Sequence, residues 1–217
     1  MSGFTTHCEE QKCETILGVK IWQQVTLPDG IENPVNSAEK RENPVFGFVV
    51  AYEIPTIARL RKNKKFLDLL SEFLIQNNAD DNKPIGLKIA GKPSQAIELI
   101  ELLGANPAVS EKVSCLIRQV QNVEQLDSDS PVENSDIWNH KSIVMLESNS
   151  DPRQYEKLFR IYTLRGFHGI AFNVENTSRG QIRLAHKFNL KVMQTDISHP
   201  RQEEIALASD ADEFLID

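Results

Sequence analysis

The sequence predicts an α/β fold of parallel strands, a small or degenerate (β/α)8 TIM barrel. Three observations predict it. Short apolar runs of strand length recur along the 217 residues. Several are apolar almost throughout instead of alternating, as strands buried on both faces are. The segments between the later runs have helical period, so strand and helix alternate, which is the pattern of a parallel sheet. The rival, an open doubly wound sheet, calls for a glycine-rich phosphate loop after its first strand, and that turn is missing here.

The strand runs fall at 16–25, 45–52, 84–90, 112–120, 142–147, 169–175, 190–196 and 213–217. A chain of this length with that many strands suits a closed barrel. Between them, Phe66, Leu70, Phe73 and Leu74 share one helical face. Ile97, Ile100 and Leu103 form a second stripe between Pro93 and Gly104. Tyr155, Leu158, Phe159 and Tyr162 recur at i, i+3, i+4, i+7, with Asp151 as the expected N-cap, Pro152 at the first helical position and Gly166 at the end. The stretches 178–189 and 200–210 repeat the theme. Two polar insertions, 27–44 and 123–136, are rich in Pro, Asn, Asp, Gly and Ser and read as long loops on one domain.

A formal charge of −7 argues against a general nucleic-acid surface. The basic cluster at 59–65 reads as the solvated start of a helix. Nothing approaches the ~20 apolar residues of a membrane span, so none is expected. The first residues lack a secretory pattern, and 1–15 reads as an N-terminal arm ahead of one barrel domain at 16–217. Cys8, Cys13 and Cys115 are an odd, sparse set, which predicts reduced thiols and a cytoplasmic protein. The spacing of His7, Cys8 and Cys13 matches no zinc module.

Function in a barrel sits at the carboxyl ends of the strands. Those ends offer Gln23 and Gln24, Glu53, Lys88, Arg118 and Gln119, Glu147, Asn173 and Glu175, Gln194 and Asp196, and Asp217. Lys88, inside an apolar run, is either a desolvated nucleophile able to form a Schiff base or a structural ion-pair partner. Glu147, Glu175 and Asp196 end three successive strands and can converge on a cation or form an acid and base pair. Arg118 suits a phosphate or carboxylate, or answers the acidic loop near Asp127. Gln23, Asn173 and Gln194 complete the expected binding set. His168 is expected at the far end of the barrel, His186 on a helix surface and His199 in a loop near the mouth. Trp22 is expected in the core or lining a pocket.

The closing stretch GQIRLAHKFNLKVMQTDISHPRQEEIALASDADEFLID resembles the end of the glycerophosphodiester phosphodiesterase family. VTLPDG is similar to that family's LTkDG turn, ENPVFGFVVAYE to the strand after it, and NKPIGLKIAGKPSQAIELIELL to the next strand and helix. The resemblance implies a TIM barrel. It also implies a metal-bearing catalytic signature that this chain lacks. His7 is followed by Cys8 where the family has His-Arg, Ile21, Trp22 and Gln23 stand for Glu-x-Asp, Tyr52 and Glu53 for His-Asp, and Leu87 or Lys88 for a strand Glu. Carboxylates would hold a divalent cation there and histidines would move the proton. The expectation is therefore a degenerate barrel, a pseudoenzyme that binds a small anionic or phosphorylated ligand or a protein without hydrolysing it. The alternatives are a lyase or aldolase using Lys88, and a metal-assisted hydrolase using strand-end carboxylates. The sequence names no cofactor.

Overall fold

A computed structural model of the protein describes residues 19–27, 45–57, 59–80, 83–91, 93–120, 142–146 and 154–217. Its strands are β1 (Lys20–Thr26), β2 (Gly47–Glu53), β3 (Ile85–Ala90), β4 (Val113–Val120), β5 (Ser142–Leu146), β6 (Gly169–Asn173), β7 (Lys191–Ile197) and β8 (Glu213–Ile216). All pair in parallel and in chain order, and β8 returns to β1 with Trp22 opposite Leu215, so the barrel is closed. Helices α1 (Arg59–Asp80), α2 (Pro93–Gly104), α3 (Pro107–Ser110), α4 (Tyr155–Leu164), α5 (Arg179–Lys187) and α6 (Pro200–Leu207) lie between strands.

The predicted helix faces are the buried ones: Phe66, Leu70, Phe73 and Leu74 on α1, and Tyr155, Leu158, Phe159 and Tyr162 on α4. Each such side chain contributes about 1.5–3 kcal/mol on burial. Gly166 ends α4 with φ of 77°, a left-handed conformation that glycine adopts without cost. Two boundaries differ from expectation. The run at 169–175 stops as a strand at Asn173, because Val174–Asn176 turns into a single 3-10 turn that Asn173 caps. Gln154 stands at the N-cap of α4, while Asp151 and Pro152 lie outside the described residues, as do His7, Cys8, Cys13, the arm at 1–15 and most of both insertions.

Three apolar clusters divide the work. Trp22, Val49, Cys115, Ile117, Ile143, Ala171, Met193 and Leu215 fill the barrel interior. The outer faces of β6 to β8 pack on α4, α5 and α6, and those of β2 to β4 on α1 to α3. Neighbours along a strand point to opposite faces, so Ile21 and Val25 belong to outer clusters while Trp22 belongs inside. Gly47 makes room for that indole: a Cβ there would lie 2.8 Å from the Trp22 ring and collide with the carbonyl oxygen of Pro84.

Candidate functional site

The same alternation selects which strand-end side chains reach the mouth. Trp22, Gln24 and Thr26 share the inner face of β1. Lys88, on β3, lies in register between Ala51 of β2 and Ile117 of β4. Its Nζ donates to Gln24 Oε1 at 2.9 Å. On the other side, Asn173 Nδ2 donates to Asp196 Oδ2 at 2.9 Å, and the Thr195 hydroxyl donates to the same oxygen at 3.4 Å. Asn173 Oδ1 accepts from the backbone N–H of Glu175, so this amide is fixed at both ends.

Asp196 has φ of 60°, a left-handed backbone that costs a non-glycine residue about 1–2 kcal/mol. It sits where the pairing of β7 with β8 shifts register between Gln194 and Ile197. The irregularity re-aims the chain at the strand end, as bulges beside sites do. Asp217 follows β8. Burial pushes its carboxyl above the usual aspartate range, the Lys88 ammonium opposes that rise and the Asp196 carboxylate adds to it. Asp217 thus feels the charges of both Lys88 and Asp196 at the carboxyl ends of the strands.

Other expected site residues lie elsewhere. Gln23 is buried on the outer face of β1 with Ile21 and Val25. The Arg118 guanidinium, on the outer face of β4, sits 6.0 Å from the centre of the Phe167 ring. Gln194 Oε1 accepts from Ser209 at 3.0 Å, again outside the barrel. Glu175 is exposed and accepts from Gln202 of α6 at 2.9 Å. The 3-10 turn carries Glu175 beyond the end of β6. Glu147 lies outside the described residues. Among the described residues no group of three His, Cys, Asp or Glu side chains is placed to hold a metal ion. His199 caps α6, its Nδ1 accepting from the Arg201 N–H at 3.2 Å, and so is committed to the helix. His186 meets Asp212 at 2.9 Å.

Among the described residues, a cavity lies at each end of the barrel. At the amino-terminal end, about 150 Å³ is lined by residues including Lys20, Trp22, Cys115, His168, Lys191 and Glu213. Glu213 is 5% exposed. It accepts from Trp22 Nε1 at 2.8 Å, with the ammonium groups of Lys20 and Lys191 at 3.8 and 3.9 Å. His168 stands at this far end as expected, its imidazole held below the usual range by burial and by Lys191. Burial also pushes the Cys115 thiol up, keeping it protonated. At the carboxyl-terminal rim, about 400 Å³ opens between α1 and the ends of β1 and β2.

Solved structures share this fold at low identity. The tryptophan synthase A-subunit of Pyrococcus furiosus superposes with a TM-score of 0.58 at 12% identity, covering 92% of this chain and 86% of that one. A glycerophosphoryl diester phosphodiesterase from Agrobacterium tumefaciens gives 0.55 at 10% identity, covering 91% and 93%. An enolase from Agrobacterium radiobacter gives 0.56 at 14% identity, and this chain spans about half of it, 92% against 51%. No protein-family model and no curated protein matches the sequence. The neighbours are TIM-barrel enzymes of several kinds, and at these identities they show the fold alone.

Proposed function

We propose that this chain is a phosphodiesterase-like barrel that binds a small polar molecule at its carboxyl-terminal mouth and does not hydrolyse phosphodiesters. The observation that supports it is Lys88, bonded to Gln24 at 2.9 Å. In the family that the sequence resembles, the matching stretch of β3 carries a metal-binding carboxylate. A fixed ammonium there repels a divalent cation and offers its own charge to an anionic group. Asn173 and Asp196 form the facing wall, and Asp217 adds a carboxyl that holds its proton more readily than usual. The test is hydrolysis of bis(4-nitrophenyl) phosphate with saturating Mg²⁺, Ca²⁺ or Mn²⁺. The expected rate equals that of buffer with metal alone. Protein-dependent turnover that disappears in Gln24→Ala would overturn the reading.

A second reading rests on the same lysine. The Lys88 amine would add to a ligand carbonyl, lose water and form an imine, with the Asp217 carboxyl, which feels the Lys88 charge, as the group to exchange the proton. Borohydride treatment in the presence of small aldehydes and keto acids then leaves a secondary amine of increased mass at Lys88, and none in Lys88→Met. Absence of any adduct in the wild type removes this reading and leaves the binding one standing.

A further inference from the structure

The cavity at the amino-terminal end holds a charge cluster that the reading of the mouth does not use. Lys20, Lys191 and Glu213 are the first residues of β1, β7 and β8, and β8 lies between the other two strands. All three share the inner face of the barrel, because Trp22, Met193 and Leu215, each two residues further along, fill the interior. Gly169 of β6, in register with Lys191, adds no side chain to this layer, and a Cβ there would lie 2.7 Å from the Lys191 carbonyl oxygen. The two oxygens of the buried Glu213 differ in their surroundings. Oε2 accepts from the Trp22 indole at 2.8 Å. Oε1 has Lys20 Nζ at 3.8 Å and Lys191 Nζ at 3.9 Å. Charge-assisted hydrogen bonds are shorter, about 2.7–2.9 Å, so neither ammonium donates to that oxygen. Among the described residues, then, two cations straddle a single carboxylate oxygen without closing on it, and the positive charge is in excess. Lys20 Nζ also lies 4.7 Å from the centre of the Phe46 ring, which forms part of the same wall.

We propose that this cavity binds inorganic phosphate in a protonated form, as the monohydrogen or dihydrogen anion. Two ammonium groups call for an oxyanion, and Lys is a point charge that suits phosphate. Glu213 Oε1 calls for the opposite, a hydrogen-bond donor. An oxyanion that still carries a proton meets both demands. Its bare oxygens accept from Lys20 and Lys191, and its P–OH donates to Glu213 Oε1. Sulfate has the same shape but no proton at neutral pH, so it sets an oxygen against the carboxylate, and like charges in contact are costly. Size narrows the choice further. The cavity measures about 150 Å³, below the ~300–1,000 Å³ of sites for larger ligands, so a phosphate ester with a sizeable body does not fit. The lining does not include Lys88, and the inference stands apart from the reading of the mouth.

The test is isothermal titration calorimetry of the full chain with sodium phosphate at neutral pH, in a Lys88→Met background that removes the ammonium of the mouth. One saturable phosphate site is expected there, and sulfate binds it about tenfold more weakly. Any further site seen only in the wild type belongs to the mouth and bears on that reading alone. Lys20→Gln and Lys191→Gln each weaken phosphate binding about tenfold. These side chains are 37% and 42% exposed, so the fold survives both changes. Glu213→Gln keeps an oxygen for the indole and removes the negative charge, and sulfate then binds as well as phosphate. No saturable site in Lys88→Met, sulfate bound as tightly as phosphate, or binding that ignores both lysine variants overturns the proposal. Should Glu213→Gln lose its circular dichroism, the two lysine variants and the sulfate comparison decide the matter.

Discussion

Phe159→Ala lowers the unfolding free energy by about 3–5 kcal/mol, read from urea denaturation with an unchanged slope. Phe159 is completely buried. It packs with ring centres 5.7 Å from Tyr155, 6.1 Å from Phe172 and 6.3 Å from Phe188, so one side chain ties α4 to β6 and to the end of α5. Truncation leaves a cavity that three rigid rings cannot fill by small movements. Because Phe172 immediately precedes Asn173, the same variant loosens one wall of the mouth. Phe159→Leu retains most of the contact and costs less than half as much. A loss below about 1 kcal/mol for Phe159→Ala would show that α4 is not docked as described.

Glu213→Leu costs about 3 kcal/mol, from an unsatisfied buried donor and two cations left without their counter-charge. Glu213 is the acceptor for Trp22 Nε1, and Lys20 and Lys191 approach its other oxygen. The lysines keep 37% and 42% of their side chains exposed, so they turn to water and the indole N–H bears most of the loss. Trp22→Phe in the Glu213→Leu background therefore recovers part of it. Thermal unfolding of the two single variants and the double variant measures this. Additive losses would place the indole and the carboxylate apart. Glu213 and its partners line the cavity at the amino-terminal end of the barrel, away from Lys88.

The strands were legible because a strand buried on both faces has almost no polar residues, and the eight runs of the sequence overlie the eight strands. The helices that cover β3 and β6 were legible because Phe66 to Leu74 and Tyr155 to Tyr162 repeat at helical spacing. The mouth was less so. Continuous apolar runs hide the two-residue period, so Gln23 and Gln24 look equivalent in the sequence. The structure puts Gln24 against Lys88 and Gln23 among the outer residues. The clue was Trp22: once an indole fills the interior, Gln24 shares its face and Gln23 does not. The sequence does not distinguish Asp217 from the rest of the strand-end ring, because its interest comes from Lys88 and Asp196, which are distant in sequence. The 3-10 turn that bears Glu175 and the register shift at Asp196 leave no periodic trace at all.

The raised Asp217 carboxyl has a consequence for stability. The native state binds that proton more tightly than the unfolded chain does, so stability falls as pH rises from the ordinary aspartate value, about 4, through the native one. Above the native value the penalty is complete. Asp217→Asn is therefore more stable than the wild type at neutral pH, and the difference vanishes in acid below the ordinary value.

The most direct test of a shared mouth is the titration of the Asp217 side-chain carboxyl carbon, followed by NMR in the wild type, Lys88→Met and Asp196→Asn. The wild-type midpoint lies above the usual aspartate range, rises further when Lys88 loses its charge and falls when Asp196 loses its own. A midpoint that neither substitution moves would contradict the account, since Lys88, Asp196 and Asp217 would then not face one another.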